Sequence, residues 1–81
     1  MSTQSRLRWR CRRGTRELDA VLGAWLETRH ATVSAALRED FDALLDCADP
    51  DLWDWLIGHT EPAERFAAII ADIRANSIGP Q

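Results

Sequence analysis

The chain of 81 residues has no lysine, only two cysteines and no long apolar run. Its longest apolar window, residues 66–73, is interrupted by Asp72 and is far shorter than the roughly 20 residues of a membrane-spanning helix. We therefore expect no membrane association. The arginine-rich start leads into no apolar stretch, which predicts no secretory signal. The length indicates one domain, residues 1–81, with an ordered core from about residue 6 to residue 76 between short flexible termini.

The scarcity of cysteine and glycine argues against several chemistries. Cys11 and Cys47 form no CxxC motif, and together with His30 and His59 they show no zinc-type spacing, so we expect free thiols and no metal site. No glycine-rich phosphate cradle or dinucleotide fingerprint is present, which argues against a stably bound FAD or other cofactor. No serine or threonine lies in a nucleophile-elbow context. The sequence therefore predicts a binding protein and not an enzyme.

The charges divide the chain into two parts. All basic residues are arginines, and six of them precede the first acid, Glu17, which gives the basic head (residues 6–16) a charge of +6. From Glu17 onward thirteen acids face four arginines, so the acidic body (residues 17–81) carries −9. This asymmetry indicates either a charged partner or an internal electrostatic clamp.

Each part of this charge pattern has two interpretations. Arginines around Trp9 can contact phosphates and stack on a base, but the acidic body would repel a polyanion, so we expect no nucleic-acid binding. The body contains an acidic band, which is either a solubilising surface or a docking face for a basic partner. The band consists of Asp40, Asp42, Asp46, Asp49, Asp51 and Asp54.

Apolar residues recur at the spacing of amphipathic helices, and twelve alanines favour helix over strand. The stripes are Leu18, Val21, Leu22, Trp25 and Leu26; Leu37, Phe41, Leu44, Leu45 and Ala48; and Phe66, Ile69, Ile70 and Ile73. The last helix is expected to begin near residues 60–62, and order is expected to end at residues 79–80. Short connections between such helices predict an all-α fold, a compact four- to five-helix bundle.

Several residues mark the expected ends of helices. Ser34 is the expected N-cap of the helix that follows it. Asp49 is the expected N-cap of a short helix with proline at its first position, and Gly58 is expected to end that helix in the left-handed conformation. Residues 5–13 alternate like a strand but have no strand to pair with, so we predict a short first helix that stops at Gly14.

The segment from Arg13 to Glu17 is the most distinctive local feature, and it has two explanations. In the first, Gly14 ends one helix, Thr15 caps the next, and Glu17 lies in the positive first turn of that next helix. In the second, Gly14 lets the backbone of a partner come close while Arg13 and Glu17 make directed polar contacts with it.

Trp53 and Trp55 give a second indication of binding. Two positions apart on a helix, their side chains point about 200° apart, so both cannot face one core. We expect one of them to line the interior and the other to be partly exposed. An exposed tryptophan either belongs to an interface or packs against a neighbouring arginine.

Two blocks of this sequence resemble a known family. Residues 7–19 (LRWRCRRGTRELD) resemble the signature of the small flavinylation assembly factors of succinate dehydrogenase, the SdhE type, in which an Arg-Gly-x-x-Glu motif follows the first helix. Residues 44–56 (LLDCADPDLWDWL) resemble the family's second block, a Leu-Leu/acidic/Asp-Pro-Asp-Leu segment that ends in Trp-Leu. The resemblance spans residues 6–73, and the spacing between the blocks also agrees.

The resemblance implies a five-helix fold and a chaperone-like role. Members bind the flavoprotein subunit of succinate dehydrogenase or of the related fumarate reductase, and they promote covalent attachment of FAD to a histidine of that subunit. The flavin bond forms on the partner, so the resemblance implies no catalytic residue and no stably bound cofactor here. By matching position it implies a partner interface at Arg13, Gly14 and Glu17, flanked by Arg8, Trp9 and Asp19.

Two other functions stay open. One is a nucleic-acid-binding or toxin-neutralising module that uses the arginine-rich N-terminal segment, and the other is a carrier that delivers FAD itself. The all-arginine, alanine-rich composition is compatible with a bacterial GC-rich genome, so we expect a bacterial cytoplasmic protein. Because no helix has a spare apolar face, we also expect a monomer.

Overall fold

The computed structural model describes residues 3–77 and contains, within that range, five α-helices and no strand. The helices are α1 (Thr3–Arg10), α2 (Arg16–Thr28), α3 (Ala35–Leu44), α4 (Asp49–Leu56) and α5 (Ala67–Ser77), with a 3₁₀ turn (Glu64–Phe66) before α5. The predicted all-α, five-helix fold is confirmed. Helix α1 begins at Thr3 and α5 extends to Ser77, so helical structure reaches slightly beyond the core predicted from about residue 6 to residue 76. The predicted end of order at residues 79–80 lies outside the described residues.

The apolar stripes meet in one core, as their spacing predicts. Helix α5 packs across α2 and also contacts α3 and α4, while α1 packs on α2. In the middle, the fully buried indole of Trp25 stacks on Phe41 with ring centroids 4.4 Å apart. The buried residues are Leu7, Cys11, Leu18, Leu22, Trp25, Leu26, Phe41, Leu44, Leu45, Leu52, Leu56, Ile69, Ile70 and Ile73.

The helix ends confirm some predictions and correct others. Thr15 and Ser34 are N-caps, and their side-chain oxygens accept from the backbone N–H three residues on at 3.2 Å. Gly58 has φ +80 and ends α4 as predicted. Asp49 is not the N-cap of α4; Ala48 holds that position without a side-chain bond, because the Asp49 carboxylate is engaged elsewhere.

The first and last helices differ most from the prediction. Helix α1 ends at Arg10 and not at Gly14. The N–H groups of Cys11 and Arg12 still bond to carbonyls of α1, but those of Arg13 and Gly14 bond to the carboxylates of Asp19 and Asp49 instead of continuing the helix. The 3₁₀ turn that leads into α5 begins at Glu64, later than residues 60–62, where the last helix was predicted to start.

The two tryptophans of α4 are buried to a similar extent, although one was expected to be inside and the other partly exposed. Both Trp53 and Trp55 are half-buried and both pack against the core, so neither is fully inside or fully outside. Trp55 lies beside Phe66 with ring centroids 5.9 Å apart. The strongly exposed tryptophan is Trp9, 63% of whose surface is accessible.

Asp72 joins α5 to α2 at the edge of the core. Its carboxylate accepts from Trp25 Nε1 at 2.7 Å and from Arg29 Nε and Nη2 at 3.1 and 2.8 Å. The Arg29 hydrogen bonds, followed by that from Trp25, hold the pKa of Asp72 below its ordinary value of 3.8, against the opposing effect of burial. The charged form of Asp72 therefore stabilises the packing of the two helices.

Asp72→Ala is expected to lower the free energy of unfolding by about 2 kcal/mol, because it leaves the buried Trp25 N–H without an acceptor. Asp72→Asn keeps an acceptor oxygen and should cost less. Because the folded-state pKa is lowered, the carboxylate stabilises the fold above pH 3.8 and loses this effect as pH falls through the folded value. Urea unfolding across this acid range should therefore depend less on pH in Asp72→Asn than in the native chain; equal slopes would contradict this assignment.

Candidate functional site

The Arg13 side chain faces inward and holds the corner between α1 and α2. Only 14% of it is exposed. Its Nε donates to Asp49 Oδ1 at 2.7 Å, and its Nη1 donates to the carbonyl oxygens of Arg10 and Leu45 at 3.0 and 2.8 Å. Its Nη2 donates to the Cys47 carbonyl at 2.7 Å. One guanidinium thus ties the end of α1 to the segment that joins α3 to α4.

Two carboxylates fix the backbone of the same corner. The N–H of Arg13 donates to the Asp19 carboxylate, and the N–H of Gly14 donates to Asp49 Oδ2 at 2.9 Å. The Gly14 N–H, followed by the Arg13 guanidinium, lowers the pKa of Asp49 below its ordinary value. Asp49 is therefore ionised at neutral pH and bridges the corner to the start of α4.

Gly14 lies exposed at this corner, and the fold does not require a glycine there. Among the described residues only Gly58 has a positive φ, so Gly14 does not adopt the left-handed conformation that favours glycine. A Cβ built on Gly14 would meet Asp49 Oδ2 at 3.4 Å, which is an ordinary contact. The backbone conformation gives no reason for glycine at this position.

Glu17 projects from the first turn of α2, as predicted, and is exposed. It makes no hydrogen bond or ion pair with any residue in the range 3–77, and the helical pairing between Arg13 and Glu17 is not formed. The corner therefore presents an unpaired carboxylate beside an exposed glycine backbone.

A groove lies next to this corner, between the starts of α2 and α4. It is lined by Thr15, Glu17, Leu18, Asp49, Pro50 and Trp53 and has a volume of about 340 Å³. Sequence reasoning assigned neither Pro50 nor Trp53 to a site. The available signal was the paired tryptophans of α4, since two such side chains cannot both be buried in one core.

Arg8 and Trp9 lie on the outer face of α1. Arg8 forms a long, exposed ion pair with Glu27 at 3.6 Å, and the guanidinium of Arg12 lies over the Trp9 ring, 5.5 Å from its centroid. The six predicted site residues thus divide into two groups. Arg13 and Asp19 make contacts inside the corner; Arg8, Trp9, Gly14 and Glu17 are exposed.

Three aspartates of the acidic band form ion pairs with two arginines of the basic head. Arg10 donates to the carboxylate of Asp42 and, at 2.8 Å, to Asp46, while Arg13 pairs with Asp49. The predicted internal electrostatic clamp is therefore present. Asp42 and Asp46 remain largely exposed in these pairs, whereas Asp49 is half-buried at the corner.

Both cysteines are free, as predicted. Cys11 is buried, and burial raises the pKa of its thiol to about 11. Cys47 is half-buried, and its pKa is also raised, chiefly by burial. Within residues 3–77 no three histidine, cysteine or acidic side chains are grouped to hold a metal ion, and no helix is long and apolar enough to span a bilayer.

Residues 5–77 match the model of the Sdh5 family, described as flavinator of succinate dehydrogenase. The chain belongs to this family. The FAD assembly factor SdhE of Xylella fastidiosa (strain 9a5c) is 47% identical over 72 residues, which cover 88% of this chain and 74% of the relative. That of Coxiella burnetii is 41% identical over 70 residues, 85% of each chain. That of Legionella pneumophila (strain Lens) is 41% identical over 71 residues, 88% of this chain and 90% of the relative.

Membership of the Sdh5 family confirms the resemblance drawn from residues 7–19 and 44–56. Both blocks lie within the matched range. In the folded chain they are in contact, because Arg13 and Gly14 of the first block bond to Asp49 of the second. The two blocks of sequence thus build a single corner of the structure.

Proposed function

We propose that this chain is an assembly factor that binds the flavoprotein subunit of succinate dehydrogenase and promotes covalent attachment of FAD to it. Family membership supports the class of function, since the family is described as a flavinator of succinate dehydrogenase. The observation that carries the site is the exposed Gly14 backbone beside the unpaired Glu17 carboxylate, on a corner fixed by Arg13 and Asp49.

In this proposal the chain acts by docking and not by catalysis. Glu17 pairs with a cation on the flavoprotein, and Gly14 lets the partner's backbone approach the corner closely. Arg13 and Asp19 position this surface from inside, while Arg8 and Trp9 extend it along α1. The flavin bond forms on the flavoprotein, which holds the FAD, and this chain keeps no cofactor of its own.

We extend the proposal to the related flavoprotein of fumarate reductase as a second client. The chain acts as a monomer, because its helices direct their apolar stripes into one shared core. Its place of action in this proposal is the bacterial cytoplasm.

Nucleic-acid binding is the less favoured alternative. The clamp uses Arg10 and Arg13 internally, and Arg8 is paired with Glu27, so only part of the basic head is available to phosphates. The family description and the relatives named above refer to flavinylation and FAD assembly. Steeply salt-dependent binding to DNA or RNA would favour this alternative.

The function is tested with purified apo flavoprotein and FAD, incubated with and without this chain. Covalent flavin is read as in-gel fluorescence after denaturation. We expect the chain to raise the rate and yield of fluorescent flavoprotein. If a folded client that can be flavinylated shows no change, the proposed function is wrong.

A further inference from the structure

The groove beside Glu17 has apolar walls and lies open on the surface. Its apolar lining consists of Leu18 from α2 and of Pro50 and Trp53 from α4. Leu18 is fully buried by its neighbours, whereas Trp53 is half-buried. A half-exposed indole in the wall of a groove retains apolar surface that another molecule can remove from water.

Of the two carboxylates that line the groove, that of Asp49 is already satisfied. Asp49 accepts from Arg13 Nε and from the Gly14 N–H, so its charge is compensated within the fold. An apolar group that packs beside Asp49 therefore does not bury an unpaired carboxylate there. The interior of the groove suits an apolar side chain.

The rim of the groove selects the charge of its occupant. Glu17 lines the groove and has no cationic partner among residues 3–77. A carboxylate at this place repels phosphates and other anions and attracts a cation. The groove therefore disfavours the pyrophosphate of free FAD and favours a protein segment that carries positive charge next to an apolar side chain.

We infer that this groove holds an apolar side chain of the flavoprotein, from a segment whose adjacent lysine or arginine pairs with Glu17. The inference rests on the proposed function and specifies the chemistry of its docking site. The groove has a volume of about 340 Å³, near the lower end of the range of about 300–1,000 Å³ seen for small-molecule sites. A space of this size suits an anchor of one or two side chains.

Trp53 and Trp55 provide a matched pair for the test. They are two residues apart on α4, both are half-buried and both pack against the core, but only Trp53 lines the groove. Binding of apo flavoprotein is measured by isothermal titration calorimetry. Trp53→Leu should raise Kd about tenfold or more, as truncation of a central aromatic anchor does, whereas Trp55→Leu should stay within about twofold of the native value.

Glu17→Gln tests the charge of the rim on a side chain that no contact within the described range requires. It should weaken binding at low salt and make Kd less dependent on salt, because one ion pair is removed. Thermal unfolding of each variant controls for stability. If Trp53→Leu does not fold, the milder Trp53→Phe replaces it, with a smaller loss of affinity in the same direction.

Equal weakening by the two tryptophan variants, or native affinity in Trp53→Leu, overturns the groove inference. An unchanged salt dependence in Glu17→Gln overturns the adjacent cation. Failure of the proposed function is distinguishable from both results, since the native chain would then neither bind the apo flavoprotein nor raise its covalent flavin.

Discussion

Gly14→Arg is expected to fold like the native chain and to lose flavoprotein binding and flavinylation. Gly14 is exposed, its φ is not positive, and a Cβ there meets only Asp49 Oδ2 at an ordinary 3.4 Å. A long side chain can therefore extend into solvent without disturbing the corner. On the proposed docking surface, however, it would occupy the space of the partner's backbone, which should cost about 2 kcal/mol or more, roughly a thirtyfold loss of affinity.

Gly14→Ala is the control for Gly14→Arg. Its methyl group is small and should reduce affinity much less, at a similar stability. Circular dichroism and thermal unfolding report the fold of both variants, and in-gel fluorescence reports covalent flavin on the client. If Gly14→Arg unfolds, the glycine has a structural role; if it folds and flavinylates normally, Gly14 does not face the partner.

Arg13→Ala is expected to produce the largest loss of stability of any single arginine replacement. It removes one donor of the Asp49 carboxylate and the side-chain donors of three carbonyl oxygens, those of Arg10, Leu45 and Cys47. We expect a loss of about 3 kcal/mol or more, because the acceptors are left unsatisfied in a site that is mostly shielded from water. A domain of this size has only about 5–10 kcal/mol of stability in total.

Two further arginine variants sharpen this result. Arg13→Lys should restore little, because one ammonium group cannot reach acceptors spread around a planar guanidinium. Arg16→Ala, which removes an exposed arginine with no ion pair inside the described range, should change stability by less than about 0.5 kcal/mol. Urea unfolding measures all three. If Arg13→Ala is as stable as Arg16→Ala yet fails to bind, Arg13 contacts the partner directly.

The helices and their buried faces could be predicted because the spacing of apolar residues follows from helix geometry. The stripe from Leu18 to Leu26 and the isoleucines of α5 are local patterns that need no knowledge of distant contacts. The caps at Thr15 and Ser34 were predictable for the same reason, since a capping side chain bonds three residues away.

The orientation of Arg13 could not be predicted in this way. Its acceptors are backbone carbonyls of Leu45 and Cys47, and no residue type or spacing marks a carbonyl as an acceptor for a distant arginine. The error at Asp49 has the same origin. A carboxylate before proline resembles an N-cap, but here the distant corner provides stronger, charge-assisted donors.

The charge pattern indicated the clamp but did not predict which arginine pairs with which aspartate. A basic head on an acidic body indicated a clamp or a charged partner. In the fold, Arg10 bonds to Asp42 in α3 and to Asp46 just after it. Which acid remains unpaired was decided only by packing. Among residues 3–77 Glu17 is one of several exposed acids without an ion pair, and its place in the first turn of α2, beside the corner, makes it the candidate for contact with a partner.

Hydrogen exchange of this chain, alone and with apo flavoprotein, tests most directly whether the corner between α1 and α2 is the docking surface. We expect slower exchange in peptides that cover residues 12–18 and 49–55, where Gly14, Glu17 and Trp53 lie, and no change in residues 67–77 of α5. Slower exchange confined to α3 and α5, with the corner unaffected in a complex that still gains covalent flavin, would contradict it.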